Sequence, residues 1–344
     1  MNQSLANFGA VIVLAAALLA VFLAANINAP EKATGARQQP IGETATSASN
    51  NSAFEQGFLN RGLKTNTAKS SIKLSKVLSG GPGKDGIPAI REPVFVPVSE
   101  KPESVSFDTD GIVLGKEQPK FYPYNIMIWH EIVNDTVDGV PVAVTFCPLC
   151  GSAIVFGRRV GGETVSFGVS GLLYQSNLLM YDSKTESLWS QVLGEAVVGE
   201  YTETKLLLLP SSVVSFRQFE EQFPNGLVLS DKTGYARDYS FNPYGNYDKD
   251  PSTFFPVDSF GDRLPAKELL LVVPLEDKTV AFVLSKLNEK RSAELVVDGE
   301  KLEVTVGEGG LYSAIFRGEE KPTFVAMYFS VAVHNPGMVI WAGE

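Results

Sequence analysis

The sequence predicts a mostly β or α+β fold: two β-rich halves with few short helices, placed after an N-terminal transmembrane helix. Three observations predict it. Short runs of β-branched and aromatic residues are bounded by Gly-Gly and Asp-Gly turns, long helical patterns are scarce, and the chain opens on an uncharged apolar run.

That run, residues 8–25 (FGAVIVLAAALLAVFLAA), has the length needed to cross a hydrocarbon core, roughly 20 helical residues. No Lys or Arg precedes it, so residues 1–29 read as a membrane anchor, with a cleaved signal segment as the alternative. Residues 30–74 read as a flexible polar linker and lead-in, because the stretch from Pro30 to Ser52 is nearly devoid of large apolar side chains. Residues 75–344 are then the globular body, with candidate halves at 75–250 and 251–344. Lys32 and Arg37, placed after the apolar run, by themselves argue for a cytoplasmic body. The acidic body on an anchor and linker argues for the outside, in the periplasm or at the cell surface, or secreted if the segment is cleaved.

Within the body, strand signals occupy 142–146, 153–156, 164–169 and 205–209, and Asp138-Gly139 marks a tight hairpin because it supplies the positive φ such a turn needs. Helical spacing is best at 122–129 and at 215–223, the latter capped by Ser215. The pattern of residues 122–145 recurs at 282–305, each with a Val-Asp-Gly, and Ser152-Ala153-Ile154 falls opposite Ser313-Ala314-Ile315 with a slip of one residue. Asp-Gly hairpins recur in any β protein, so duplication and coincidence both account for it. If the halves are related, their seam is a natural place for a site.

The 344 residues carry 29 Lys and Arg against 39 Asp and Glu, a net charge of −10. That balance argues against a nucleic-acid partner and against binding to anionic lipid surfaces. The two cysteines form one motif, Cys147-Pro148-Leu149-Cys150-Gly151, directly after a strand. Such a turn aims both sulfurs at one point, for half of a tetrahedral metal site or for a mutual disulfide. The only two histidines, His130 and His334, complete a Cys₂His₂ set by count, with zinc or copper as the metal. The rival readings are dithiol redox chemistry and a structural disulfide.

Glu131 and Asp182 are candidate catalytic carboxylates. His130-Glu131 begins the zinc-protease pattern, but Asn134 stands where its second histidine belongs. The Gly80–Gly86 run lacks the spacing of a phosphate loop, so no nucleotide cofactor is expected. Ser170, Ser176, Asn177, Met180, Tyr181, Trp189 and Gln191 form a candidate pocket, Met180 a soft ligand if the metal is copper; the plainer reading is a packed hairpin.

Several motifs in order carry a resemblance: Gly80-Gly-Pro-Gly-Lys-Asp-Gly-Ile-Pro88, Trp129-His-Glu-Ile-Val-Asn-Asp135, Val144-Thr-Phe-Cys-Pro-Leu-Cys-Gly-Ser-Ala153, Phe167-Gly-Val-Ser-Gly-Leu172, Ser176-Asn-Leu-Leu-Met-Tyr-Asp182 and Asn242-Pro-Tyr-Gly-Asn-Tyr-Asp248. From about Gly80 to His334 the chain resembles an uncharacterised prokaryotic family, domain of unknown function 3179. The resemblance implies membership and no reaction.

The first functional expectation is therefore a membrane-anchored extracytoplasmic protein that binds zinc or copper through Cys147, Cys150, His130 and His334. The alternatives are a redox or hydrolytic enzyme, and a non-catalytic envelope module with a structural disulfide.

Overall fold

The structure, a computed structural model, describes residues 61–344. The anchor and the linker as far as residue 60 lie outside the described residues; among the described residues no helix is long and apolar enough to cross a membrane.

One unit opens with the hairpin Asp110–Leu114 and Lys120–Pro123, which runs straight into the helix Tyr124–His130. The helix starts two residues later than its spacing predicts, because Pro123 disfavours helical φ/ψ at Tyr122 and holds it in the strand. Its buried face, Ile126 and Met127, contributes roughly 1.5–3 kcal/mol per side chain. The chain then reverses through Asp138 and Gly139, both at positive φ, between the strands Ile132–Val137 and Val140–Cys147, and returns along Ser152–Gly157. Later, Ser212–Ser215 pairs antiparallel with Asp110–Leu114, and the helix Phe216–Gln222 starts from a capping box of Ser215 and Gln218. Leu227–Leu229 then lies parallel to Lys120–Pro123.

The same order of elements recurs in the second unit. Leu269–Pro274 and Thr279–Val283 form the hairpin, followed by the helix Leu284–Lys290 and the strands Ser292–Val297, Glu300–Val306 and Tyr312–Phe316. Phe324–Met327 pairs antiparallel with Leu269–Pro274, the helix Tyr328–Ala332 follows, and Val339–Trp341 lies parallel to Thr279–Val283. The correspondence reaches single hydrogen bonds: both first helices end on a non-glycine residue at positive φ, Glu131 or Arg291. The carbonyl of Glu131 accepts from Phe146 N–H and that of Arg291 from Val306 N–H, each at 2.8 Å. The slip between the copies runs opposite to the one read from Ser-Ala-Ile, since Phe146 pairs with Ala153 and Val306 with Tyr312.

Two differences set the units apart. Residues 158–211 are inserted in the first unit and build most of a five-stranded sheet, ordered Val77–Ser79, Phe167–Tyr174, Asn177–Asp182, Leu188–Ser190, Glu195–Val198. The second is the turn after the third strand of each unit, where the cysteines lie. The units join in a seven-stranded sheet through one registered pair, Val325 with Ala153, beside a hydrogen bond from Met327 N–H to the Cys150 carbonyl (2.8 Å).

Two predicted strands change. Residues 164–169 are split between the two-residue strand Glu163–Thr164 and Phe167–Tyr174, and 205–209 is an irregular segment that Pro210 ends, held by Gly157 N–H on the Leu207 carbonyl and Leu209 N–H on that of Val155. The lead-in also differs from a flexible linker over its last residues: Leu63 is buried, and Ser71 N–H bonds to the Val197 carbonyl at 3.0 Å.

Candidate functional site

The cysteine turn is set by its two strands. Val140–Cys147 delivers Cys147 at its last position, Cys150 N–H closes on the Cys147 carbonyl at 3.1 Å, and Gly151 takes φ 53° to send the chain into Ser152–Gly157. Both cysteines are free and buried, 1 % and 0 % exposed, so protein groups alone decide their chemistry.

The two thiols are neighbours, and their environments push their acidities apart. Burial works to raise the Cys147 thiol, but the neighbouring Cys150 side chain and the N–H groups of Leu178, Cys150 and Leu149 outweigh it and hold the group below its ordinary value. Burial and the neighbouring Cys147 push Cys150 well above its ordinary value. Cys147 is thus the more acidic thiol of the pair and Cys150 the less acidic.

Cys150 Sγ donates to the Ser176 carbonyl at 3.2 Å, and the Asn177 amide reaches that sulfur at 3.5 Å. Behind them Gln191 ties Asn177 (2.9 Å), Ser152 (2.6 Å) and Thr145 (3.0 Å) into one buried network. Ser176 and Gln175 form the tip of the hairpin over the sulfurs, and both hold positive φ without being glycine, a strained conformation.

On the other side lies Glu131, 5 % exposed. Burial raises its carboxyl well above the ordinary range, the charge of Cys147 adds to this, and the Tyr244 hydroxyl, donating at 3.4 Å, opposes it. Tyr247 donates to the Leu149 carbonyl inside the turn at 2.9 Å, and its ring is covered by the Lys267 ammonium, 3.2 Å from the centroid. Burial lowers Lys267 to about 8.

A cleft of about 720 Å³ adjoins the turn, with Pro148 and Gly151 in its wall. It lies on the seam, and corresponding positions of the two units face it: Asp110 and Leu269, Tyr124 and Leu284, Ile128 and Asn288, Val213 and Val325. The segment Asn242–Asp248 closes its side on the first unit only.

The predicted ligands do not assemble. Among the described residues no three His, Cys, Asp or Glu side chains gather where a metal ion could sit. His130 bonds through Nδ1 to the Pro88 carbonyl and through Nε2 to the Tyr239 hydroxyl, each at 2.7 Å, so neither nitrogen is free; burial lowers it to about 4. His334 lies against Tyr174, the ring centroids 5.7 Å apart and the planes tilted by 37°; its Nε2 lacks a partner among the described residues, and burial lowers it to about 4 as well.

Asp182 accepts from Lys184 N–H, Thr185 N–H and Trp189 Nε1, and so clamps a turn. Ser170, Met180, Tyr181 and Trp189 are buried in the inserted sheet and are not part of the seam cleft. Of the predicted pocket, Ser176, Asn177 and Gln191 do meet Cys150 or its network. Asp110, Tyr124, Tyr244 and Tyr247 were absent from the predicted site; Asn242-Pro-Tyr-Gly-Asn-Tyr-Asp248, already a recognisable motif, was the available signal for the last two.

The second unit shows what the fold itself requires at these places. Where the first has Cys147-Pro-Leu-Cys150 and then Gly151, the second has Gly307-Glu-Gly-Gly310 and a turn one residue shorter, with Gly310 N–H on the Gly307 carbonyl at 3.2 Å. Glu131 becomes Arg291, Asp110 becomes Leu269 and Tyr124 becomes Leu284. The backbone forms without these side chains, so their presence in the first unit is not dictated by folding. Comparison with curated proteins and with solved structures finds no match. The chain belongs to the family described as Protein of unknown function (DUF3179), whose family model matches residues 84–337.

Proposed function

We propose that the protein is a thiol–disulfide redox protein of the cell envelope, held by its N-terminal apolar segment. The observation that carries this reading is the buried pair of free, neighbouring thiols whose acidities are shifted in opposite directions, Cys147 down and Cys150 up. Cys147 attacks a substrate disulfide, forming a mixed disulfide and releasing one substrate thiolate. Cys150, giving up its proton, then attacks the Cys147 sulfur, forms the Cys147–Cys150 disulfide and releases the second thiolate. Two electrons pass from protein to substrate, the proton given up by Cys150 goes to a released substrate thiolate, and the reverse sequence oxidises a dithiol. Glu131, whose carboxyl burial holds well above its ordinary range, is the acid beside the pair that exchanges protons with it.

The metal reading survives in reduced form. The sulfur pair alone supports two-coordinate binding of a soft ion such as Cu(I).

One experiment separates the two. The reduced body is equilibrated in glutathione buffers of stepped ratio, and its disulfide fraction is read by mass after alkylation. The expected result is a reversible Cys147–Cys150 disulfide, with Cys150→Ser trapping a mixed disulfide at Cys147. Failure to oxidise at any ratio would remove the redox reading. Stoichiometric metal kept under reducing conditions by the wild type, and not by the double serine variant, would put metal binding in its place.

A further inference from the structure

Asp110 sits at the end of its strand, registered against Ser215 on one side, with its side chain open to the seam cleft. The adjoining pair Gly111 and Pro123 brings Tyr124 close beside it, and Tyr312 of the second unit lines the same cleft. Tyr124 is stacked on Phe146 with centroids 4.0 Å apart, so its ring is fixed in place. The hydroxyls of Tyr124 and Tyr312 both feel the Asp110 charge, which helps to raise them.

No cation among the described residues answers this carboxylate: burial alone acts on it, and raises it. Arg291, the cation of the cleft wall, turns its guanidinium to the Gly307 carbonyl, and Lys267 is held on the ring and carbonyl of Tyr247. The Asp110 carboxylate is exposed to the cleft and forms no ion pair among the described residues, which leaves it open to a ligand's positive charge. Tyr124 and Tyr312 in the same wall add aromatic surface of the kind an ammonium group selects. The fold does not impose this arrangement, because the second unit carries Leu269 and Leu284 at the same two positions.

We infer that the seam cleft is a binding site for a small organic cation, whose ammonium group pairs with Asp110 beside Tyr124 and Tyr312. The cleft, at about 720 Å³, takes a ligand of small-molecule size. This site does not rest on the redox reading, since Asp110, Tyr124 and Tyr312 make no use of the sulfurs and Cys150 Sγ faces the Ser176 hairpin.

The test titrates the body, residues 61–344 on their anchor-bearing chain, with choline and ethanolamine as ammonium probes and 3,3-dimethylbutan-1-ol as the uncharged shape analogue of choline. Heat of binding and tyrosine fluorescence are followed together. At least one ammonium probe is expected to bind, and the alcohol to bind roughly tenfold more weakly or not at all, as an ionic contact and a ring contact together require. Asp110→Asn and Asp110→Leu should each lose roughly tenfold in affinity; the second introduces the residue that the same fold already carries at 269. Cys147→Ser with Cys150→Ser should bind as the wild type does, which keeps this outcome separate from the redox one. Equal affinity for choline and its uncharged analogue, no binding of either ammonium probe, or unchanged affinity in the Asp110 variants would overturn the inference.

Discussion

Glu131 ends a helix at positive φ, and the same bend places its carboxyl beside the dithiol. The unfolded chain releases that proton near the ordinary value of 4.5, whereas the folded chain keeps it to a much higher pH, mainly because burial penalises the charged form. The folded state therefore binds more protons, and its stability must fall as pH rises above 4.5 until the folded group ionises. Glu131→Gln removes this slope. Urea unfolding between about pH 5 and pH 8 should show a flatter profile for the variant and a wild type that loses ground at the upper end. An unchanged slope would mean that Glu131 is ionised in the folded protein and cannot store a proton. At this scale the sequence revealed the chemistry that is local and hid what is distant. A Cys-x-x-Cys fixes its own geometry within one turn, so Cys147 and Cys150 were legible. The fate of His130 depends on Pro88 and Tyr239, 42 and 109 residues away, and counting histidines could not find them.

The hairpin of Phe167–Tyr174 and Asn177–Asp182 is the cover of the dithiol, and its tip is latched from outside. Gln175 donates to the Asp258 carboxylate at 2.7 Å and accepts from Asp258 N–H at 2.8 Å, while Lys76 pairs with the same carboxylate. Releasing the latch leaves two strained residues, Gln175 and Ser176, held chiefly by Cys150. Asp258→Ala is thus expected to speed alkylation of the two cysteines by roughly tenfold, through local opening, with little change in the global melting temperature. Equal alkylation rates would show that the tip does not limit access. Elements with strong local signals, such as the Asp138-Gly139 hairpin and the Ser215-capped helix, were readable in advance. Leu284–Lys290 was missed because only Leu284 and Leu287 of its seven residues are buried, too sparse a face for a periodic signal.

Across the whole molecule, the recurrence visible at 122–145 and 282–305 extends through every element of both units, and the large insertion at 158–211 is what hides its later part from a fixed-offset comparison. The anchor and the first part of the linker lie outside the described residues, and the acidic composition speaks to partners rather than to topology. The joint between the units has a mechanical consequence. Among the described residues, the pair Val325 and Ala153 and the hydrogen bond from Met327 to Cys150 are the backbone links between the two halves of the seven-stranded sheet, in series with the cysteine turn, while Tyr312 bonds to Ser212 and Val213 elsewhere on the seam. Tension applied between residues 61 and 344 in an optical trap should therefore part the seam before either unit unravels, giving a first extension step smaller than the release of a whole unit. A thiol-reactive dye present during that step should label Cys150 sooner than it does in the slack chain, making the dithiol a reporter of load.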